Sequence, residues 1–397
     1  MEKVKKIALT ILSRIFSSAR ILIALSILAT LPLLMMFYNY SVDCAGYFQG
    51  DLTLRETANY ILAGEDIIGY DNLNEQQRTI MEILANNFNP TPNWIALGSS
   101  RIMQLNRDIL QYDNFFNCAV TGGDAADVLG IYYLFDREDK NPEKVIIGFD
   151  PWLLRDDAEA FDRRSNKALY TEFLNTKLGY NIEYEKEDTS AKWDALYSLN
   201  YFQDNIDYEL HDSKKLTKPE VVKGDIYNLE SEVKRADGSI LYTVSYRNKS
   251  LEERAGLALG TGETLLHMTE YDHVGTYMQG VFDKFFTYAK ERGSEIIIVL
   301  SPFHPVTYDY VLEHSEDYGG FLETENAIRK LAAKHDIKVF GSYNPHNIEG
   351  VTEEYFYDGL HCTGDCLEKI IWGSPAETDV YNTVDIGTEE DSETENK

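Results

Sequence analysis

A side chain that attacks a carbonyl needs a base to take its proton, an acid to hold that base, and donors where the oxyanion develops. The stretch "NWIALGSSR" (93–101) ends an apolar run on a glycine and two serines, and a helix-like "IMQLNRDIL" follows. Ser100 is the candidate nucleophile. It stands where a strand gives way to a helix, and a candidate base and acid exist to serve it. His361 sits in "YDGLHCT" with Asp358 three residues earlier, so the carboxylate can curl back onto imidazole Nδ1 and leave the other ring face for a serine. Gly122-Gly123 in "NCAVTGGDAAD" can offer a backbone N–H to an oxyanion. Asp150 closes the run "IIGFD", and His304 follows another in "SPFHP". Arg101 can bind an anionic substrate or pair with an acid such as Asp150. Trp152 can be a sugar platform or an aromatic packed under a neighbouring segment. His304 can line a cleft or cap a loop. His267 and His273, six residues apart, have no helix-face logic for a metal, so no metal or cofactor is expected.

Five continuous apolar segments read as buried parallel strands: 94–100, 117–120, 144–150, 295–302 and 338–343. Helix-like segments separate them: "RIMQLNRDIL", "DAADVLGIYYLFDR", "TYMQGVFDKFFTYAKERG" and "TENAIRKLAAKHD". The third carries Tyr277, Val281, Phe282, Phe285 and Phe286 at core-facing spacing and ends at Gly293. Such alternation implies βαβ units in a doubly wound α/β sheet, whose ligands bind at the carboxyl ends of the strands. The candidate residues all follow strands, so one edge can gather them. A long excursion, about 155–270, interrupts the pattern with Tyr, Asp, Glu and Lys. It carries a β-hairpin signal in "VKRADGSILYTVSY", turning at Asp237-Gly238.

The chain has 397 residues, 44% hydrophobic, with a formal net charge of −29. That acidity argues strongly against nucleic acid as a partner, because phosphates are repelled. Residues 21–38, "ILIALSILATLPLLMMFY", carry no charge over a length suited to a membrane-spanning helix. Lys3, Lys5, Lys6, Arg14 and Arg20 precede them, so the N-terminus is expected in the cytoplasm and the main domain outside. Cys362 and Cys366 can close a small loop or remain thiols, and Cys118 reads as a core residue. Residues 385–397 are acidic, nearly without apolar groups, and expected to be disordered.

"GSSR" after a strand, "NCAVTGG" after the second, "VIIGFDPWLL" at the third and "DGLHCT" near the end resemble the SGNH (GDSL-type) hydrolase superfamily. More narrowly, they are similar to its membrane-anchored branch, which includes the D-alanyl transfer protein of teichoic-acid assembly and surface-polysaccharide O-acyl esterases and transferases. The likeness covers about 90–155 and 290–372. It implies a three-layer, flavodoxin-like parallel sheet of about five strands and a Ser100–His361–Asp358 triad. Ser100 and Gly122 would be the oxyanion donors. Where the superfamily has an asparagine donor, this chain has Asp150, and an ionised carboxylate cannot donate. Asp150 must be protonated, or turn to a partner such as Arg101, or yield its role to another donor. The expected organisation is a cytoplasmic segment (1–20), a membrane helix (21–39), a helical connector (40–90), an SGNH-like domain (91–384) with the insertion, and the tail. The expected chemistry is ester hydrolysis or O-acyl transfer on a cell-envelope polysaccharide, with an integral-membrane acyltransferase as a possible partner. The alternative is an inactive module of the same fold that binds or scaffolds envelope polymer.

Overall fold

The computed structural model describes residues 26, 30–44, 48, 52–156, 161–183, 190–211, 218–264 and 271–373. The chain divides into two compact units, one from residues 1–57 and 185–219, the other from 58–184 and 220–397.

Among its described residues the larger unit holds nine strands: β1 (Ile67–Ile68), β2 (Trp94–Leu97), β3 (Phe115–Asn117), β4 (Lys144–Gly148), β5 (Glu220–Val221), β6 (Val233–Lys234), β7 (Ile240–Leu241), β8 (Glu295–Leu300) and β9 (Lys338–Gly341). Five form an all-parallel sheet in the order β3-β2-β4-β8-β9. Ile95, Leu97, Val145, Ile147, Ile298, Val299 and Leu300 are fully buried there, each contributing about 1.5–3 kcal/mol by leaving water. The strand order reverses between β2 and β4, so their carboxyl ends diverge and leave the crevice that open α/β sheets use for ligands. Backbone contact closes the crevice floor. Gly98 has φ +146°, and a Cβ there would lie 2.8 Å from the Gly148 carbonyl oxygen. A Cβ on Gly123 would collide with the carbonyl of Gly98, so the loops after β2 and β3 touch main chain to main chain.

The helices follow from capping and burial. Asp124 and Asp127 form a reciprocal capping box on helix Ala125–Asp136, every residue of which is buried. Helix Thr276–Glu291 buries Met278, Val281, Phe282, Phe285, Phe286 and Ala289, while Tyr277 is exposed instead of facing the core. Gly293 follows it at φ +89°. Helix Gly319–Lys334 fills the last crossover.

Four expectations need correction. Residues 101–110 are not one helix: a 3-10 turn at Ser100–Ile102 is followed by a short helix, Arg107–Leu110, capped by Asn106. The second strand lies at Phe115–Asn117, although Cys118 and Val120 continue donating to Ala96 and Gly98 of the neighbouring chain segment. The connector is not only helical, since β1 sits inside a four-stranded antiparallel sheet, β5-β1-β6-β7, with strands from the excursion. The excursion is also split, residues 185–219 grouping with 1–57.

The hairpin turns at Gly238 (φ +79°), pairing Val233 with Leu241 and Lys234 with Ile240. Its tip docks on the parallel sheet. Asn117 N–H donates to the Asp237 carbonyl (2.7 Å), Arg107 N–H to the Asp237 carboxylate (3.0 Å), and Ile240 N–H to the Met103 carbonyl (2.9 Å).

In the smaller unit, the Asn39 amide donates to the carbonyls of Ala195, Leu196 and Ser198, tying the helical residues 30–42 to the helices Ser190–Tyr197 and Leu199–Leu210. Residues 21–25 and 27–29 of the expected membrane helix, and the whole acidic tail, lie outside the described residues. Of its described part, Leu31, Leu33, Leu34 and Phe37 are exposed. No helix among the described residues is long and apolar enough to cross a membrane.

Candidate active site

Two serines end the turn after β2, and the fold gives them different tasks. Ser99 is buried, and its Oγ accepts from Arg101 N–H (3.2 Å), capping the 3-10 turn. Ser100 starts that turn half-buried, with Oγ 2.8 Å from His361 Nε2. His361 Nδ1 lies 2.9 and 3.1 Å from the two oxygens of Asp358. A proton on Nδ1, held by that carboxylate, leaves Nε2 to accept from the serine hydroxyl. Asp358 Oδ1 also accepts N–H bonds from Leu360 and His361, each 2.8 Å. The D-x-x-H spacing therefore works as a self-closing loop. It follows β9, so residues 261 positions apart meet at the carboxyl edge.

The second oxygen of Asp358 accepts from Tyr246 Oη at 2.5 Å. Burial would raise this carboxyl, but the hydrogen bonds and charge of His361, joined by Tyr246, outweigh it and hold Asp358 well below the carboxylate range. Burial first, and the carboxylate beside it second, push the Tyr246 phenol far upward, so it stays a donor. Tyr242 stands edge-on to the His361 ring at 5.9 Å. Both tyrosines follow β7, so the hairpin carries them to the acid and base. Sequence reasoning missed them. Their proximity to the hairpin in "ILYTVSYR" was visible, but no spacing links residue 246 to residue 358.

Arg101 and Asp150 are both buried and pair at 2.9 Å (Nη1 to Oδ1). Arg101 also donates to the carbonyls of Ser301 and Leu360, and its guanidinium lies 3.7 Å from the Phe303 ring centroid. It joins the ends of β2, β4 and β8 to the His361 loop. Of the two roles open to Arg101 from sequence, the structure shows the ion pair and not substrate contact, its guanidinium being buried and committed to the fold. Of the outcomes open to Asp150 from sequence, the structure shows the pairing with Arg101: its carboxylate accepts from the guanidinium. Burial raises its pKa against the pull of Arg101, and its Oδ2 has no hydrogen-bond partner among the described residues.

Trp152 and His304 are likewise inside. Trp152 is 8% exposed and donates from Nε1 to the Gly123 carbonyl (2.9 Å), pinning the glycine loop from behind. His304 is fully buried. Its Nδ1 accepts from Val306 N–H as a helix cap, its N–H donates to the Gly359 carbonyl (3.1 Å), and burial pushes its pKa down to about 4. Neither offers a surface to a ligand: of the two readings open for each from sequence, Trp152 is the packed aromatic and His304 the cap, and neither contacts substrate.

Gly122 has φ +63° and lies beneath Arg164, which is forked onto Asp162 at 2.7 and 2.8 Å. The N–H groups of Ser100 and Gly122 are not spent on hydrogen bonds within the described residues. Both are open as donors. His273 is exposed near Glu323 (3.4 Å), and His267 lies outside the described residues. All four cysteines are free, with Cys118, Cys362 and Cys366 buried. Compared with known proteins, the chain matches no family model, and no curated protein matches it.

Proposed function

We propose that this chain is a membrane-anchored, extracytoplasmic serine acyl-esterase or O-acyltransferase of the three-layer, flavodoxin-like SGNH type. Its substrate is an acylated cell-envelope polysaccharide or related polymer. The observation that carries the reading is the relay of Ser100 Oγ to His361 Nε2 (2.8 Å) and His361 Nδ1 to Asp358 (2.9 Å). Support comes from its position at the strand-order reversal, where α/β sheets place their chemistry.

In this mechanism His361 takes the hydroxyl proton as Ser100 Oγ bonds to the acyl carbon. The carbonyl oxygen becomes an oxyanion held by the N–H groups of Ser100 and Gly122. As the tetrahedral intermediate collapses, His361 returns the proton to the departing alkoxide, leaving an acyl-serine. Water or a glycan hydroxyl then attacks, giving its proton to His361, which passes it to Ser100 Oγ as the second intermediate collapses and the acyl product leaves. Asp358 orients the imidazole and stabilises its protonated form. The anchor and an integral-membrane acyl donor belong to the same proposal, resting on the apolar run 21–38.

Asp150 favours a second reading, an inactive module that binds or scaffolds polymer. A missing side-chain oxyanion donor costs about 3 kcal/mol of transition-state stabilisation. Labelling with a fluorophosphonate separates the two. The active enzyme is labelled and Ser100→Ala is not; no labelling of the native chain selects the inactive module, and labelling retained by Ser100→Ala removes Ser100 from the role.

A further inference from the structure

A cleft of about 400 Å³ in the larger unit is lined by residues that adjoin the candidate triad in the chain without including it. Tyr357 lines it, and the same residue's N–H donates to the His361 carbonyl (2.9 Å). Arg247, the next residue after the Tyr246 that touches Asp358, lines it as well. Three arginines meet here, Arg235, Arg247 and Arg254, all half-buried. In a chain of net charge −29, arginines are expected to be neutralised by the abundant carboxylates. Arg235 is, by Asp108 at 3.2 Å.

Arg247 and Arg254 are not. Arg247 donates to the carbonyls of Tyr242 and Tyr227, and Arg254 to those of Glu354 and Arg247. Among the described residues neither has a carboxylate partner. Arg254 Nε is buried with no acceptor. The two remaining carboxylates of the lining, Glu354 and Asp365, are exposed and form no ion pair among the described residues. Backbone carbonyls hold both guanidiniums in place without cancelling their charge. Fixed, half-desolvated guanidiniums are suited to forked recognition of carboxylate or phosphate oxygens.

We infer that this cleft is a subsite for an anionic group, a carboxylate or a phosphate, on the saccharide polymer whose ester is presented to Ser100. The chemistry at Ser100 is the reading given above; the anion subsite is a statement about binding and is tested without turnover. The Ser100→Ala protein is titrated calorimetrically with maltotriose, with maltotriose carrying a 6-phosphate, and with maltotriose oxidised at C6 to a uronate. At least one charged trimer should bind ten-fold or more tightly than the neutral one, and whichever does so names the anion. Arg247→Gln and Arg254→Gln should each remove most of that preference. Both arginines also hold main chain, so Asn248→Asp serves as the variant that leaves those bonds intact. Asn248 is exposed on the cleft, and the added carboxylate should weaken the charged trimer at least three-fold while sparing the neutral one. Equal binding of all three trimers overturns the subsite, as does a preference that Asn248→Asp leaves untouched. Fluorophosphonate labelling of the native chain reports separately on Ser100, so failure of one inference is not failure of the other.

Discussion

Tyr246 gives the acid of the relay a partner that neither the serine nor the histidine supplies. Replacing it by Phe removes one hydrogen bond to a charged acceptor, an interaction of about 1.5–3 kcal/mol. Tyr246→Phe should therefore slow fluorophosphonate labelling by roughly ten-fold or more, with the folded state retained. An unchanged labelling rate would make the contact incidental. At the Arg101–Asp150 pair, Asp150→Asn leaves a buried guanidinium without its counter-charge and should cost about 3–5 kcal/mol in urea unfolding. Arg101→Met combined with Asp150→Asn should recover part of that loss, and a strictly additive double-mutant cycle would argue against coupling. His304 yields a pH prediction. Its folded pKa of about 4 lies below the unfolded value of about 6.5. As pH falls between those values the unfolded chain takes up the proton first, so stability is lost on acidification and is fully present above the window. Urea unfolding at pH 7 and pH 5 should show a smaller loss for His304→Asn, which retains a capping acceptor, than for the native chain.

At the scale of elements, the parallel strands were legible because strands covered on both faces read as unbroken apolar runs. The glycine after helix Thr276–Glu291 and the Asp-Gly hairpin were legible because positive φ restricts the residue types allowed. The start of β3 was not, since "FFNCAV" is apolar with no punctuation to mark where pairing begins. The break within 101–110 depends on the caps at Ser99 and Asn106, which local hydrophobicity does not encode. Strand β1 is two residues long and gains meaning only from partners more than 150 positions later. The serine, acid and base were readable from their places after strands. The roles of Arg101, Trp152 and His304 were not, because burial decides them and burial is a property of the assembled fold. The hairpin's task gives a prediction here. Asp237 caps the turn through Ser239 and accepts from Arg107 N–H. Asp237→Ala should destabilise the unit by about 1–2 kcal/mol and slow labelling in the manner of Tyr246→Phe. A variant that loses stability but labels at the native rate would separate hairpin from site.

The whole molecule joins a strongly acidic chain to an apolar N-terminal run. If residues 21–38 form the anchor, the full chain will stay with membranes through an alkaline carbonate wash, and release into the supernatant would remove the span. The order of residues along the chain carries a further consequence, for synthesis. Ser100 and its turn are made in the first third, and the strands that frame it follow as far as residue 341. The acid and the base come later still, at 358 and 361, in a loop whose other tie, Tyr246, is already waiting on the hairpin. A nascent chain can thus build most of its sheet while the nucleophile has no base. A product cut short after β9 would be folded in outline and chemically silent.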